Sequence, residues 1–237
     1  MTNNEEEVII PIDQITDFPN HPYKVKNDEK MQSMVQSVKE MGVIYPVIVK
    51  KKGDGKYEMI SGHRRKMASI LAGKKEIKCI VKNLTDDEAT ILMVDSNIQR
   101  EEILPSEKAY SYKMKLDAIK HQGRKIEETS NQLGGKNDES AQLLGEDQGD
   151  SGTQVRRYIR LTKLIPEILK KVDEKRIAFN PAVEISYLTQ EEQTKLYDAM
   201  ECNDATLSLG QAIHLKKLSQ AISFYNKYLK QRKREAR

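Results

Sequence analysis

Apolar and polar positions alternate along this chain in two distinct styles. Between Val8 and Val81 the apolar runs are short and of mixed period. Residues 28–42, DEKMQSMVQSVKEMG, set Met31, Met34, Val35, Val38 and Met41 on one helical face, with Asn27 or Asp28 as N-cap and Gly42 as stop. That spacing predicts an amphipathic helix whose methionines are core. VIYPVIVK is β-branched and predicts a strand, KGDGK supplies turn chemistry, and YEMI returns as a second strand. RRKMASILAG predicts a helix stopped by Gly73, and EIKCIVKN a third strand. TDDEATILMVDSNIQ opens a helix with a Thr cap and acidic first-turn residues, and LPSEKAYSYKMKLDAIKHQG opens another with Pro105 in its first turn. From Val155 onward helical periodicity runs to the end with no strand. Between the two styles, residues 129–154 are polar and glycine-rich, yet Leu133, Ala141, Leu143 and Leu144 interrupt them; this predicts short helices joined by turns.

Length and composition narrow the picture. At 237 residues the chain is long enough for two compact units. No apolar run approaches the ~20 residues of a membrane span, and MTNNEEEV is acidic where a signal peptide is basic, so a soluble cytoplasmic protein with no membrane association is expected. Cys79 and Cys202 are the only cysteines, and His21, His63, His121 and His214 lack metal-ligand spacing; neither a disulfide framework nor a histidine–cysteine metal site is indicated. The net charge of +4 is unevenly spread: Glu5, Glu6 and Glu7 open the chain, and KYLKQRKREAR carries six basic residues against one acidic. A basic end is either a solvated terminus or a polyanion contact.

Candidate chemistry sits first at SGHRR. A glycine between a strand and a helix lets a ligand approach the main chain, the first helical N–H groups point outward, and Arg64 and Arg65 carry forked donors that match phosphate oxygens. Alone, such a turn is also explained by surface arginines at a helix start. The stretch DSNIQREEILPSEKA places Asn97, Gln99, Arg100 and Glu101 at a polar corner between helices; an Asn and a Glu there can hold a cation beside phosphates, or simply cap the helices.

A second candidate lies further on. In DESAQLLGEDQGDSGTQVRRYIRLTKLIPEIL, Ala141 and Leu144 with Gly145 read as the first helix and turn of a helix-turn-helix, with Ser151 or Gly152 opening the second helix. Val155 and Ile159 face inward, with Leu164 continuing the core, and the opposite face presents Thr153, Gln154, Arg156, Arg157 and Arg160, with Ser151 and Lys163 at its ends, either as DNA contacts or as a solvated helix face. Gln and Arg pair with base edges and the other groups with phosphates. Leu215, Leu218, Ile222, Tyr225 and Leu229 repeat three and four apart; they form either a dimer seam or a face packed on their own domain.

At these residues, from Ile10 to roughly Leu218, the chain resembles the ParB family of partition proteins: IPIDQI, the methionine helix, SGHRR, NIQRE with LPSEKA, and then the helix-turn-helix, in the family's order. The resemblance implies an α+β architecture, a small mixed α/β domain of the ParB and sulfiredoxin type followed by an all-helical helix-turn-helix domain. It divides the chain into 1–104, a nucleotide-binding domain; 105–218, a DNA-binding domain; and 219–237, a basic helix or tail. It also implies CTP with Mg2+ as cofactors. Gly62, His63, Arg64, Arg65, Asn97, Gln99, Arg100 and Glu101 would form the nucleotide pocket, with Asn97 beside the metal. His63 and Ser96 stand where the family has Glu, and His21, Pro22 and Tyr23 replace its QPR, so binding is expected without fast hydrolysis and no catalytic residue is assigned.

The function implied is a sequence-specific DNA-binding partition protein, a CTP-controlled clamp acting as a homodimer on a palindromic double-stranded site in the nucleoid or on a plasmid. A nucleoid-occlusion or mobile-element regulator of the same fold is the alternative. Family members recruit a ParA-type ATPase through a basic N-terminal peptide; Glu5 to Glu7 provide none. A sulfiredoxin-like redox enzyme lacks its cysteine at Ser61–Gly62, and a nuclease lacks clustered carboxylates.

Overall fold

The computed structural model describes residues 7–98, 103–127, 141–142, 144–145 and 149–235. The chain divides into two compact units: Met1–Ile103 with Lys113–Ser140, and Leu104–Tyr112 with Ala141–Arg237. The first is mixed α/β and the described part of the second is helical, which makes the protein α+β.

In the first unit, five strands, β1 (Glu7–Pro11), β2 (Ile15–Thr16), β3 (Val47–Lys51), β4 (Tyr57–Ser61) and β5 (Glu76–Lys82), form one sheet in the order β1-β5-β3-β4-β2. β1 pairs antiparallel with β5, β3 lies parallel to β5 and antiparallel to β4, and β2 runs parallel to β4. Val47, Val49, Met59, Ile77 and Cys79 form the floor of one core cluster with Ile10, Ile12 and Ile15. Helices α1 (Glu29–Met41) and α2 (His63–Leu71) pack together through Met31, Val35, Val38 and Ala68. Asp28 caps α1 by accepting from the Met31 N–H at 2.8 Å, and Gly42 ends it at φ 73°. Met41, expected in the core stripe, is 64% exposed: it is the last helical residue, beyond the reach of the packed face. β1 and β2 were not expected: β1 is held by pairing with β5 far along the chain, and β2 has only two residues. Helix α3 (Asp86–Ile98) starts at Thr85, whose Oγ1 accepts from the Glu88 N–H while Glu88 reaches back to the Thr85 N–H.

The second unit begins with the first two turns of α4 (Pro105–Glu127) and continues through α5 (Gly152–Leu161), α6 (Pro166–Asp173), α7 (Phe179–Ile185), α8 (Gln190–Asn203) and α9 (Leu209–Glu235). Leu161, Ile168, Ile185, Met200 and Ala212 form its core with Ala109 of α4. The fully buried Gln193 holds the α5–α6 turn: its Oε1 accepts from the Ile165 N–H at 2.9 Å, and its Nε2 donates to the carbonyls of Leu188 and Lys163. No helix among the described residues is long and apolar enough to cross a membrane.

Candidate functional site

The β4–α2 turn is built by one glycine. Gly62 has φ 115°, and a Cβ there would fall 2.5 Å from Val47 Cγ1, so no other residue fits without moving the β3 core. Gly62 is the N-cap of α2 yet offers no side-chain cap, and no acidic residue stands in the first turn. The start of α2 thus has neither a side-chain cap from Gly62 nor a first-turn carboxylate, and its macrodipole favours an anion.

The cations of this turn have protein partners. Arg64 makes a fork to Asp28, with Nη2 at 3.0 Å from Oδ1 and Nη1 at 3.5 Å from Oδ2, and both side chains remain partly open to solvent. The Asp28 carboxyl is held below its ordinary range by the hydrogen bond from Arg64 and by that from the Met31 N–H. Arg65 donates from Nη1 to the carbonyls of Tyr45 and Pro46 at 2.7 and 2.6 Å, and burial lowers its pKa from the usual guanidinium range. Lys66 donates to the Ile15 carbonyl and to Asp17, both at 2.7 Å. Burial pushes the Asp17 carboxyl up, but the Lys66 hydrogen bond and charge, with His63 and His21 adding theirs, bring it below its ordinary value. His63 is buried at the start of α2 with its ring 3.8 Å from that of His21, whose Nδ1 donates to the Tyr23 carbonyl at 2.8 Å.

Asn97 is buried near the end of α3, and its Nδ2 donates to the Met93 carbonyl at 2.8 Å and to Ser96 Oγ at 3.2 Å. Gln99, Arg100 and Glu101 lie outside the described residues. The structure thus brings Gly62, His63, Arg64 and Arg65 together and adds Asp17, His21, Asp28 and Lys66, which sequence reasoning did not include. Lys66 alone carried a signal, as a third cation following Arg64 and Arg65. No cluster of three metal-ligating side chains occurs among the described residues.

In the second unit Ala141 and Leu144 are buried, and the turn to α5 is closed by glycines. The Asp150 N–H donates to the Gly145 carbonyl at 2.9 Å; a Cβ on Gly145 would meet the Asp150 carbonyl oxygen at 2.5 Å, and one on Gly152 would meet Gln142 Oε1 at 2.7 Å. Asp150 also accepts from Tyr112 Oη at 2.5 Å and from Lys108 at 2.7 Å. Ser151 caps α5 by accepting from the Gln154 N–H at 3.1 Å.

The candidate DNA-facing residues separate by environment. Thr153, Arg156 and Lys163 are exposed and Gln154 is half-buried. Arg157 lies over the Phe179 ring at 5.2 Å and donates to Asn180 Oδ1 at 2.5 Å. Arg160 turns to the end of α7, donating to Ser186 Oγ at 3.0 Å and to the Ser186 carbonyl at 2.5 Å, 4.0 Å above the Tyr187 ring. Arg160 is therefore a brace between α5 and α7.

With this geometry in place, the chain can be set beside known proteins. The family model described as the ParB N-terminal domain matches residues 1–98. The chromosome-partitioning protein Spo0J of Thermus thermophilus is 30% identical over 209 residues, 88% of this chain and 70% of that protein. The nucleoid occlusion protein of Lysinibacillus sphaericus is 32% identical over 174 residues, 73% of this chain and 52% of that protein. Among solved structures, a Pnob8-like ParB-N domain overlays with a TM-score of 0.52 at 18% identity, covering 97% of this chain and 99% of that one, a likeness of fold. This chain spans between about half and 70% of the length of these two curated relatives.

Proposed function

Because this chain belongs to the ParB family of chromosome-partitioning proteins, we propose that it is a sequence-specific DNA-binding partition protein whose first unit takes CTP at the Gly62 turn and whose second unit reads a double-stranded palindrome as a homodimer. The α2 N-terminus, uncapped by Gly62 and set behind a glycine whose Cβ would collide with Val47, is the observation that carries the nucleotide part. The donor set fits a triphosphate: the N–H groups at the start of α2, the half-open Arg64 fork, and no acidic residue in the first helical turn. Phosphate oxygens take the place of Asp28 on Arg64, so binding exchanges one charge-assisted pair for another and the net gain rests on the helix N–H groups. Arg65 and Lys66 hold the surrounding loops in position. Mg2+ comes with the nucleotide, and Asn97 Oδ1 is the protein oxygen nearest in role. CTP binds and is turned over slowly, since His63 and Ser96 supply no carboxylate to orient water.

In the DNA-reading unit, Thr153, Gln154 and Arg156 enter the major groove, Lys163 and the cap at Ser151 meet phosphates, and Arg157 shares its fork between Asn180 and DNA. The protein works on the nucleoid or on a plasmid, and nothing in the described residues supports a ParA-type partner. The similarity to a nucleoid occlusion protein favours a second reading, a regulator that occupies its sites without acting in segregation. Mapping the protein on DNA in cells separates the two. Occupancy spreading over kilobases from a site is expected for the clamp, with confinement to single operators overturning it in favour of the regulator.

A further inference from the structure

Arg157 is held in place by neutral groups. Its Nη2 donates to Asn180 Oδ1 at 2.5 Å, its Nη1 to Gln154 Oε1 at 3.5 Å, and its guanidinium carbon lies 5.2 Å from the centre of the Phe179 ring. Both acceptors are amide oxygens, so the positive charge is oriented without being cancelled. Arg64 and Arg176, by contrast, face the carboxylates of Asp28 and Asp204. A guanidinium fixed before its ligand arrives gives up less rotamer freedom on binding than one that must first be ordered.

The support behind this fork is packed. Phe179 lies against the core of its unit and 4.7 Å, ring centre to ring centre, from Tyr158, which in turn lies 5.8 Å from the fully buried Tyr112 of α4. Lys108 stands 4.7 Å over the Tyr158 ring and pairs with Asp150 in the turn that opens α5. One aromatic row therefore ties α4, α5 and the start of α7 together and ends at the Arg157 guanidinium. Asn180, the second residue of α7, is exposed and Arg157 is half-buried, so the fork lies at the surface that α5 and α7 share. A planar fork with spare N–H groups matches the O6 and N7 acceptors of guanine in the major groove, and such a pair discriminates between bases only while its direction is fixed.

We propose that Asn180 is a positioning residue for base reading: with Phe179 and Gln154 it aims the Arg157 guanidinium at a guanine, so that a side chain of α7, outside the helix that enters the groove, sets the base preference at one position of the DNA site. The inference rests on the DNA-reading function proposed above and assigns one base position within it. The test is selection from a library of random DNA duplexes by the full chain and by its Arg157→Ala and Asn180→Ala variants, each recovered motif being read position by position. The parent is expected to enrich a motif containing a G·C pair whose preference is lost in Arg157→Ala, and Asn180→Ala is expected to lose it at that same pair while the other positions persist. On a duplex of the parent's motif Asn180→Ala is expected to bind about tenfold more weakly, and on a duplex with that one pair changed the parent and Asn180→Ala bind alike. The double variant is expected to bind no more weakly than Arg157→Ala alone. A purely structural role for Asn180 would lower binding to every duplex and flatten no single position. That uniform loss, recovery of the complete parent motif by Asn180→Ala, different positions flattened in the two variants, or a shared position that is not G·C overturns the proposal and leaves DNA reading standing. A parent that enriches no motif overturns both.

Discussion

Gly62 is the residue on which the proposed nucleotide site turns. Gly62→Ala places a methyl group 2.5 Å from Val47 and in a left-handed backbone conformation. A loss of about 1–3 kcal/mol of stability is expected, read as a lowered melting temperature, together with loss of CTP binding in protein still folded at low temperature. The sequence offers Arg64 and Arg65 as two candidate phosphate forks, but their partners within the protein were not legible there. Asp28 lies 36 residues away from Arg64, and the Tyr45 and Pro46 carbonyls 20 and 19 from Arg65; no local pattern announces such a pairing. The same holds in the second unit, where Arg156 and Arg160 look alike in sequence. Arg156→Ala is expected to weaken binding to the cognate DNA by about 1–3 kcal/mol, and Arg160→Ala to lower the melting temperature by freeing Ser186 and Tyr187. The two cysteines also separate: burial pushes the Cys79 thiol up to about 11, and Cys202 is exposed. A thiol reagent near neutral pH is expected to modify Cys202 alone until the protein is unfolded.

Elements with caps and long faces were readable, and those made by distant pairing were not. The α1 boundaries follow from Asp28 and Gly42, each acting locally, whereas β1 exists because Ile10 and Val8 pair with β5 some seventy positions later. Asp28 serves both α1 and Arg64. Its carboxyl and that of Asp17 have folded pKa values below the ordinary carboxylate value, so their contribution to stability is present above about pH 4 and is lost as the pH falls through the lower folded values. Asp28→Asn keeps an oxygen for the Met31 N–H but loses the ion pair, and its melting temperature is expected to fall less steeply with acid than that of the parent. In α8, Gln193 was readable only as one polar residue among several. Because its three hydrogen bonds are buried, Gln193→Ala is expected to cost about 1–3 kcal/mol in a denaturation experiment, where an exposed Gln would cost little.

For the whole molecule, the α+β plan and the order of motifs were legible because each motif lies within a short stretch: the glycine turn, the capped helices, the helix-turn-helix glycines. The division inside α4 was not, since a continuous helix of 23 residues gives no sequence signal where its first turns belong to one unit and the rest to the other. What unites the two units in the proposed activity is nucleotide held at the Gly62 turn. The direct test is calorimetric titration of the full chain with CTP in the presence of Mg2+, in parallel with Gly62→Ala. Saturable binding by the parent that disappears in the variant is the expected result; no binding by the parent, or equal binding by both, contradicts the assignment of this turn as the triphosphate site.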